Sequence, residues 1–201
     1  KAATGAPSYG FGPHMTPPEQ GGEGGDHDFR PDVVLADGAT VAGADWRVTA
    51  LHTPGHCANH LCFALENAHT SRTLFSADHV MSWSTSVVSP PDGDMAAYMA
   101  SLGKLQARDD DLYLPGHGPP LPNPQPFVAA LAKHRREREA RVLEELRRAG
   151  RASAEALVPA VYGAALDPRL IPAAARSLTA HLIKLAAEGA VRQEAGVWVV
   201  S

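Results

Sequence analysis

The stretch Leu51-His52-Thr53-Pro54-Gly55-His56 constrains this chain more than any other. It reads as a strand from Trp46 to His52, a Pro-Gly turn that reverses the backbone, and a histidine presented at the turn before a second apolar run, Leu61 to Leu65. A histidine on a rigid turn between two buried strands holds its imidazole in one direction, which is what a metal ligand requires. The arrangement recurs twice. Thr73 to Ala77 is a short β-type run ending in Asp78-His79, and Asp111 to Leu114 is another ending in Pro115-Gly116-His117-Gly118. Three strands each finish in a candidate ligand, in the order His56, Asp78, His117.

Thr53-Pro54-Gly55-His56, Ser76-Ala77-Asp78-His79 and Leu114-Pro115-Gly116-His117-Gly118 together resemble the third, fourth and fifth motifs of the metallo-β-lactamase-fold hydrolases. The spacing is compatible, with 22 residues from His56 to Asp78 and 39 from Asp78 to His117. The resemblance implies an α/β fold, part of an αββα sandwich, around a dinuclear metal site. His56 would bind one metal, Asp78 would bridge both as the catalytic carboxylate, and His117 would bind the second. Zinc is the expected cofactor, two ions in the intact protein, and the same ligands also suit iron or manganese. Two ions roughly 3.5–4 Å apart can activate water and stabilise charge on an attacked carbonyl or phosphoryl oxygen. A bridging ligand needs an anion with two oxygens, which explains a carboxylate between two imidazoles.

The family's His-x-His-x-Asp-His signature lies upstream of these motifs and does not occur in this sequence. His14 and His27 stand alone in Gly/Pro-rich surroundings, and the opening Lys1-Ala2-Ala3-Thr4-Gly5-Ala6-Pro7 reads like the middle of a domain. The expectation is a C-terminal portion of a longer protein, preceded by roughly 70 to 80 residues. Three ligands divided between two metals cannot complete the usual coordination, so the chain as it stands is expected to be inactive. Other histidines read as supporting groups. His52 and His79 flank the ligands and suit hydrogen bonding to them, and His60 suits support of the first turn. Cys57 would be a weak donor beside a ligand, and His134 a solvated helix histidine.

The rest of the chain falls into two parts, 1–126 and 127–201. The first holds a Gly/Pro-rich loop from Gly10 to Asp28, expected as a lid or a disordered run. Short strands follow at Val33 to Leu35 and Ala39 to Val41. Met95, Tyr98, Leu102 and Leu105 then recur at helical spacing, with Asp94 or Asp92 as N-cap. From Phe127 the composition turns to Ala, Arg, Glu and Leu. A long helix with Phe127, Leu131, Val142 and Leu146 on one face stops at Gly150. A short helix capped by Ser153, a helix from Pro172 carrying Leu178, Leu182 and Leu185, and a hairpin around Glu194-Ala195-Gly196 complete the order of a winged-helix module.

Charge separates the same two parts: 6 Lys/Arg against 14 Asp/Glu before Phe127, and 12 against 8 from Phe127 onward. Exposed arginines on the long helix are the simplest explanation. Arg176, His181 and Lys184 would line the third helix of the module, which is too few cations for a strong nucleic-acid footprint. Such modules also serve packing, so homodimerisation is a further expectation. No run approaches the roughly 18 apolar residues that span a bilayer. Cys57 and Cys62, five apart, would make a poor disulfide, which suits a reducing cytoplasm.

A winged helix after the last motif resembles the lactamase-beta-like group, whose members include endoribonucleases acting on single-stranded RNA. The expected function is metal-dependent hydrolysis of an ester, a thioester or a phosphodiester, on a small molecule or single-stranded RNA. The alternative is a non-catalytic nucleic-acid-binding or assembly module.

Overall fold

The computed structural model describes residues 3–14, 16, 26–67 and 71–201. Residues 17–25, the centre of the expected Gly/Pro-rich loop, lie outside them. Two short strands, β1 (Tyr9–Gly10) and β2 (Val33–Val34), pair in parallel as a separate ribbon. A six-stranded sheet follows in sequence order: β3 (Thr40–Ala42), β4 (Trp46–His52), β5 (Leu61–Asn67), β6 (Thr73–Ala77), β7 (Leu112–Pro115) and β8 (Leu121–Pro122).

Neighbouring strands are antiparallel except β6 and β7, which run parallel across the helix α1 (Met95–Gln106). This one parallel pair decides where the motifs meet. β4, β6 and β7 all point the same way, so the segments after their carboxyl ends lie at one edge of the sheet. Asp94 caps α1, accepting from the Ala97 N–H at 2.8 Å as its sequence position suggested.

Alternation gives the sheet two unlike faces. Cys62, Ala64, Leu74 and Tyr113 point to one side, where Tyr98, Leu102 and Leu105 of α1 bury against them. Each side chain of this size contributes about 1.5–3 kcal/mol by leaving water. The other face carries Phe63, Phe75 and Leu114 in one cross-strand row. Among the described residues Leu35 and Phe11 cover it at one end, where they cluster with Ala50 and Leu61, and Phe75 stays 40% exposed.

A single helix, α2 (Gln125–Ala149), serves both parts of the chain. Val128, Leu131 and Ala132 belong to the first core, while Val142 and Leu146 belong to a second. That second core packs α2 against α3 (Ala154–Tyr162), α4 (Ile171–Ala187) and the sheet of β9 (Arg151–Ala152), β10 (Val191–Glu194) and β11 (Val197–Val200). Ser153 caps α3 at 3.2 Å from the Ala156 N–H, and the tail hairpin forms between Val191 and Val200. The strand β9, too short to announce itself in the sequence, widens the hairpin to three strands.

One expectation about the cations of this part needs correction. His181 and Lys184 do not line an open helix face. His181 is fully buried, and both residues turn inward to Glu139 of α2, at 3.2 and 2.7 Å. Most arginines of α2, Arg136, Arg141, Arg147 and Arg148, are exposed as expected, while Arg135 is buried. Arg138 and Arg141 donate to the carbonyls of Val161 and Ala160 at the end of α3, where unpaired helix carbonyls need donors. Among the described residues no helix is long and apolar enough to cross a membrane.

Candidate metal centre

His56, Asp78 and His117 come together at the sheet edge. Nε2 of His56 lies 3.8 Å from Oδ2 of Asp78, and Nε2 of His117 lies 3.6 Å from its Oδ1. Each carboxylate oxygen therefore faces a different imidazole. Two ligand atoms sharing a tetrahedral cation at 2.0–2.2 Å sit about 3.4 Å apart, so both separations are close to what one shared ion per oxygen would require. Among the described residues no three of these side chain types converge on one point. The arrangement is a two-sided carboxylate with one imidazole on each side, which suits a bridged pair of divalent cations whose remaining ligands come from elsewhere.

Local structure fixes each group. The Pro54-Gly55 turn docks on the start of α1, where Gly55 accepts from the Asp94 N–H at 3.0 Å and the Ser101 hydroxyl donates to the Pro54 carbonyl at 2.9 Å. His56 donates from Nδ1 to the Val87 carbonyl at 2.7 Å, because a carbonyl can only accept; Nε2 is left with its lone pair facing Asp78. The parallel pairing of β6 with β7 sets Ala77 opposite Pro115, and Gly116 donates to the Ala77 carbonyl at 2.9 Å. A Cβ on Gly116 would stand 2.6 Å from Oδ1 of Asp78, so glycine is needed for this close approach. Trp83, 70% exposed, stands beside His117 with ring centroids 6.3 Å apart.

The supporting histidines are placed unevenly. His60 is buried and shares a 2.8 Å hydrogen bond with the Thr53 hydroxyl, supporting the ligand turn as its position suggested. His52 holds the Ala58 carbonyl at 2.8 Å and stacks on Phe11. His79 is different from the expectation. It points into the core against Tyr98, and among the described residues neither of its ring nitrogens has a hydrogen-bond partner. Burial, reinforced by neighbouring imidazoles, pushes His60 down to about 4 and His79 down to about 3, so both are neutral at pH 7. Burial also pushes the Cys57 thiol up to about 11, which leaves it protonated and a poor ligand.

His14 and His27, which looked isolated, meet edge to face at 5.2 Å, and His14 reaches Asp92 at 3.3 Å. Asp92 in turn accepts from the Ala58 N–H, tying the N-terminal segment to the first ligand turn. His134 is exposed on α2. The α2 residue that approaches the site loop is Arg135.

Comparison with known proteins identifies the family. Residues 1–117 match the Metallo-beta-lactamase superfamily and residues 153–198 match the Beta-lactamase associated winged helix domain. The chain is 35% identical to an atrochrysone carboxyl ACP thioesterase of Paecilomyces divaricatus, over 83% of this chain and 52% of that protein. It is 33% identical to Beta-lactamase-like protein 2 homolog of Drosophila melanogaster, over 76% of this chain and 49% of that protein.

Among solved structures, a beta-lactamase domain protein from Burkholderia ambifaria superposes with a TM-score of 0.68 at 30% identity, covering 84% of this chain and 52% of that one. A metallo-beta-lactamase family protein from Thermus thermophilus superposes with a TM-score of 0.73 at 22% identity, covering 88% and 57%, which speaks for the fold. The chain therefore belongs to the metallo-β-lactamase superfamily, as an α/β domain of that fold followed by a winged-helix domain. It spans about half the length of the curated relatives it matches.

Proposed function

We propose that the protein is a metal-dependent hydrolase in which His56, Asp78 and His117 hold two divalent cations, zinc first among them, and that its substrate is a small-molecule thioester or ester. The observation that carries this reading is the division of one carboxylate between two imidazoles, Oδ2 toward His56 and Oδ1 toward His117. When bound, the cations supply Lewis acidity, acidifying water and offsetting charge on the attacked carbonyl oxygen. The chain's own residues do the rest. Asp78 spaces the two positions, His56 is held as the tautomer with a free Nε2 by Val87, and exposed Trp83 offers an apolar wall to an acyl group beside His117. The remaining ligands of each cation are left to other residues of the whole protein, of whose relatives this chain spans about half the length.

Two observations favour a thioester or ester over RNA. The curated relative from Paecilomyces divaricatus is named a thioesterase. Of the three cations expected to meet a nucleic acid, His181 and Lys184 are engaged internally at Glu139. The test is a substrate panel on the intact, zinc-loaded protein: acyl thioesters of coenzyme A and pantetheine, a nitrophenyl ester, and labelled single-stranded RNA. Hydrolysis of the thioesters or the ester, lost in Asp78→Ala together with about one or both zinc ions, is expected. Cleavage of RNA alone, or a salt-dependent RNA shift with no hydrolysis, would replace this reading.

A further inference from the structure

Behind the site runs a buried chain of contacts that starts on α2. Arg135 is 5% exposed and donates from Nη2 to the backbone oxygen of Ser86. Ser86, also buried, directs its hydroxyl at the carbonyls of Asp78 and His79, the latter at 2.9 Å. The next residue, Val87, accepts from Nδ1 of His56 at 2.7 Å. Two consecutive residues thus govern two candidate ligands. The Ser86 side chain holds the backbone that carries Asp78, and the Val87 carbonyl sets the tautomer and ring plane of His56.

Neither residue has a helix or strand to hold it, since the segment from Met81 to Ser89 contains no regular structure. Arg135 provides the missing anchor. Tyr98 braces the same point: its hydroxyl donates to the His79 carbonyl at 3.0 Å, and its ring lies 5.1 Å from the Arg135 guanidinium. A buried guanidinium is costly unless its donors are satisfied. Among the described residues Arg135 forms no salt bridge, and its Nε has no partner. Packing alone gives no reason for an arginine here, because Leu131, Val142 and Leu146 fill neighbouring positions of the same stripe with apolar side chains.

We propose that Arg135 is a positioning residue for the hydrolytic site: by holding the Ser86–Val87 segment from α2, it keeps both Asp78 and His56 aimed at a shared cation. The proposal rests on the metal reading given above. It also ties the helix that enters the winged-helix unit directly to the site, so the C-terminal part contributes to the chemistry without touching substrate.

The experiment compares the intact protein with Arg135→Met, Arg135→Lys and Arg135→Gln. The first readout is the His56 tautomer in metal-free protein, by nitrogen-15 NMR of labelled histidine. The second is cobalt(II) affinity from its visible spectrum, and the third is kcat and KM measured separately. Arg135→Met is expected to lose the single Nδ1–H form of His56, to weaken cobalt binding about 10–100-fold, and to lower kcat with KM little changed. Arg135→Lys should restore most of each, because one donor reaching the Ser86 carbonyl suffices. If Arg135→Met does not fold, Arg135→Gln carries the test, with the same loss of cobalt affinity expected, because its shorter amide does not reach the Ser86 carbonyl. Cobalt affinity equal in wild type and the folded variants overturns the proposal while the metal reading stands. A wild-type protein that binds no cobalt overturns both.

Discussion

Gly55 lies directly against the backbone of Tyr98: a Cβ on Gly55 would stand 2.4 Å from the Tyr98 Cα, and Gly55 holds φ at +137°. The turn that presents His56 is thus seated on α1 by a contact only glycine permits. Gly55→Ala combines an unfavourable backbone conformation with a clash against helix backbone that cannot yield. We expect a loss of about 3 kcal/mol or more, read as a lower urea midpoint, together with loss of metal binding. A fully stable, metal-binding variant would contradict the close seating of the turn.

Gly116→Ala separates function from folding. Gly116 has an ordinary backbone conformation, and the atom its new Cβ would meet first is the carboxylate oxygen of Asp78 that faces His117, at 2.6 Å. The Asp78 side chain can rotate away, so thermal stability should change by only about 1 kcal/mol. Metal content should fall toward one ion per chain and hydrolysis by about tenfold or more. Plasma emission spectrometry on the purified intact protein gives the count.

Much of this geometry is legible in the residue order. Each ligand follows a β-type run and a turn signal, and Asp94 and Ser153 announce the helices they cap. That the three motifs share an edge is not legible, because it depends on β6 and β7 being parallel while their neighbours are antiparallel. Strands of two residues such as β1 and β9 carry no periodicity to read, whereas β2 is legible as the apolar run Val33 to Leu35. Arg135 left a signal that helical spacing would have shown: it falls on the stripe of Val128, Leu131, Val142 and Leu146. His181 is a similar case, sitting among Leu178, Leu182 and Leu185 on the buried face of α4.

His181 gives the second core a dependence on pH. Burial holds its imidazole below the ordinary value, against the opposing pull of Glu139 and with Arg135 and Arg138 adding to the depression; Lys184 faces the same carboxylate. The folded state therefore keeps His181 neutral where the unfolded chain, with a pKa near 6.5, takes up a proton. The sign follows from linkage. This contribution is fully present above about pH 6.5 and is lost as pH falls toward the folded pKa, with a slope of at most about 1.4 kcal/mol per pH unit. Urea midpoints measured from pH 7.5 to 5 should fall in the wild type, and less steeply in His181→Leu.

The central claim is that the two oxygens of Asp78 serve two different cations, one shared with His56 and one with His117. Anomalous diffraction at the zinc edge, on crystals of the intact protein grown with zinc, tests it most directly. The account predicts two peaks about 3.5–4 Å apart, one within about 2.2 Å of Nε2 of His56, the other equally close to Nε2 of His117, and both in contact with Asp78. Fully occupied zinc bound away from Asp78, or no zinc at any of the three side chains, would contradict it.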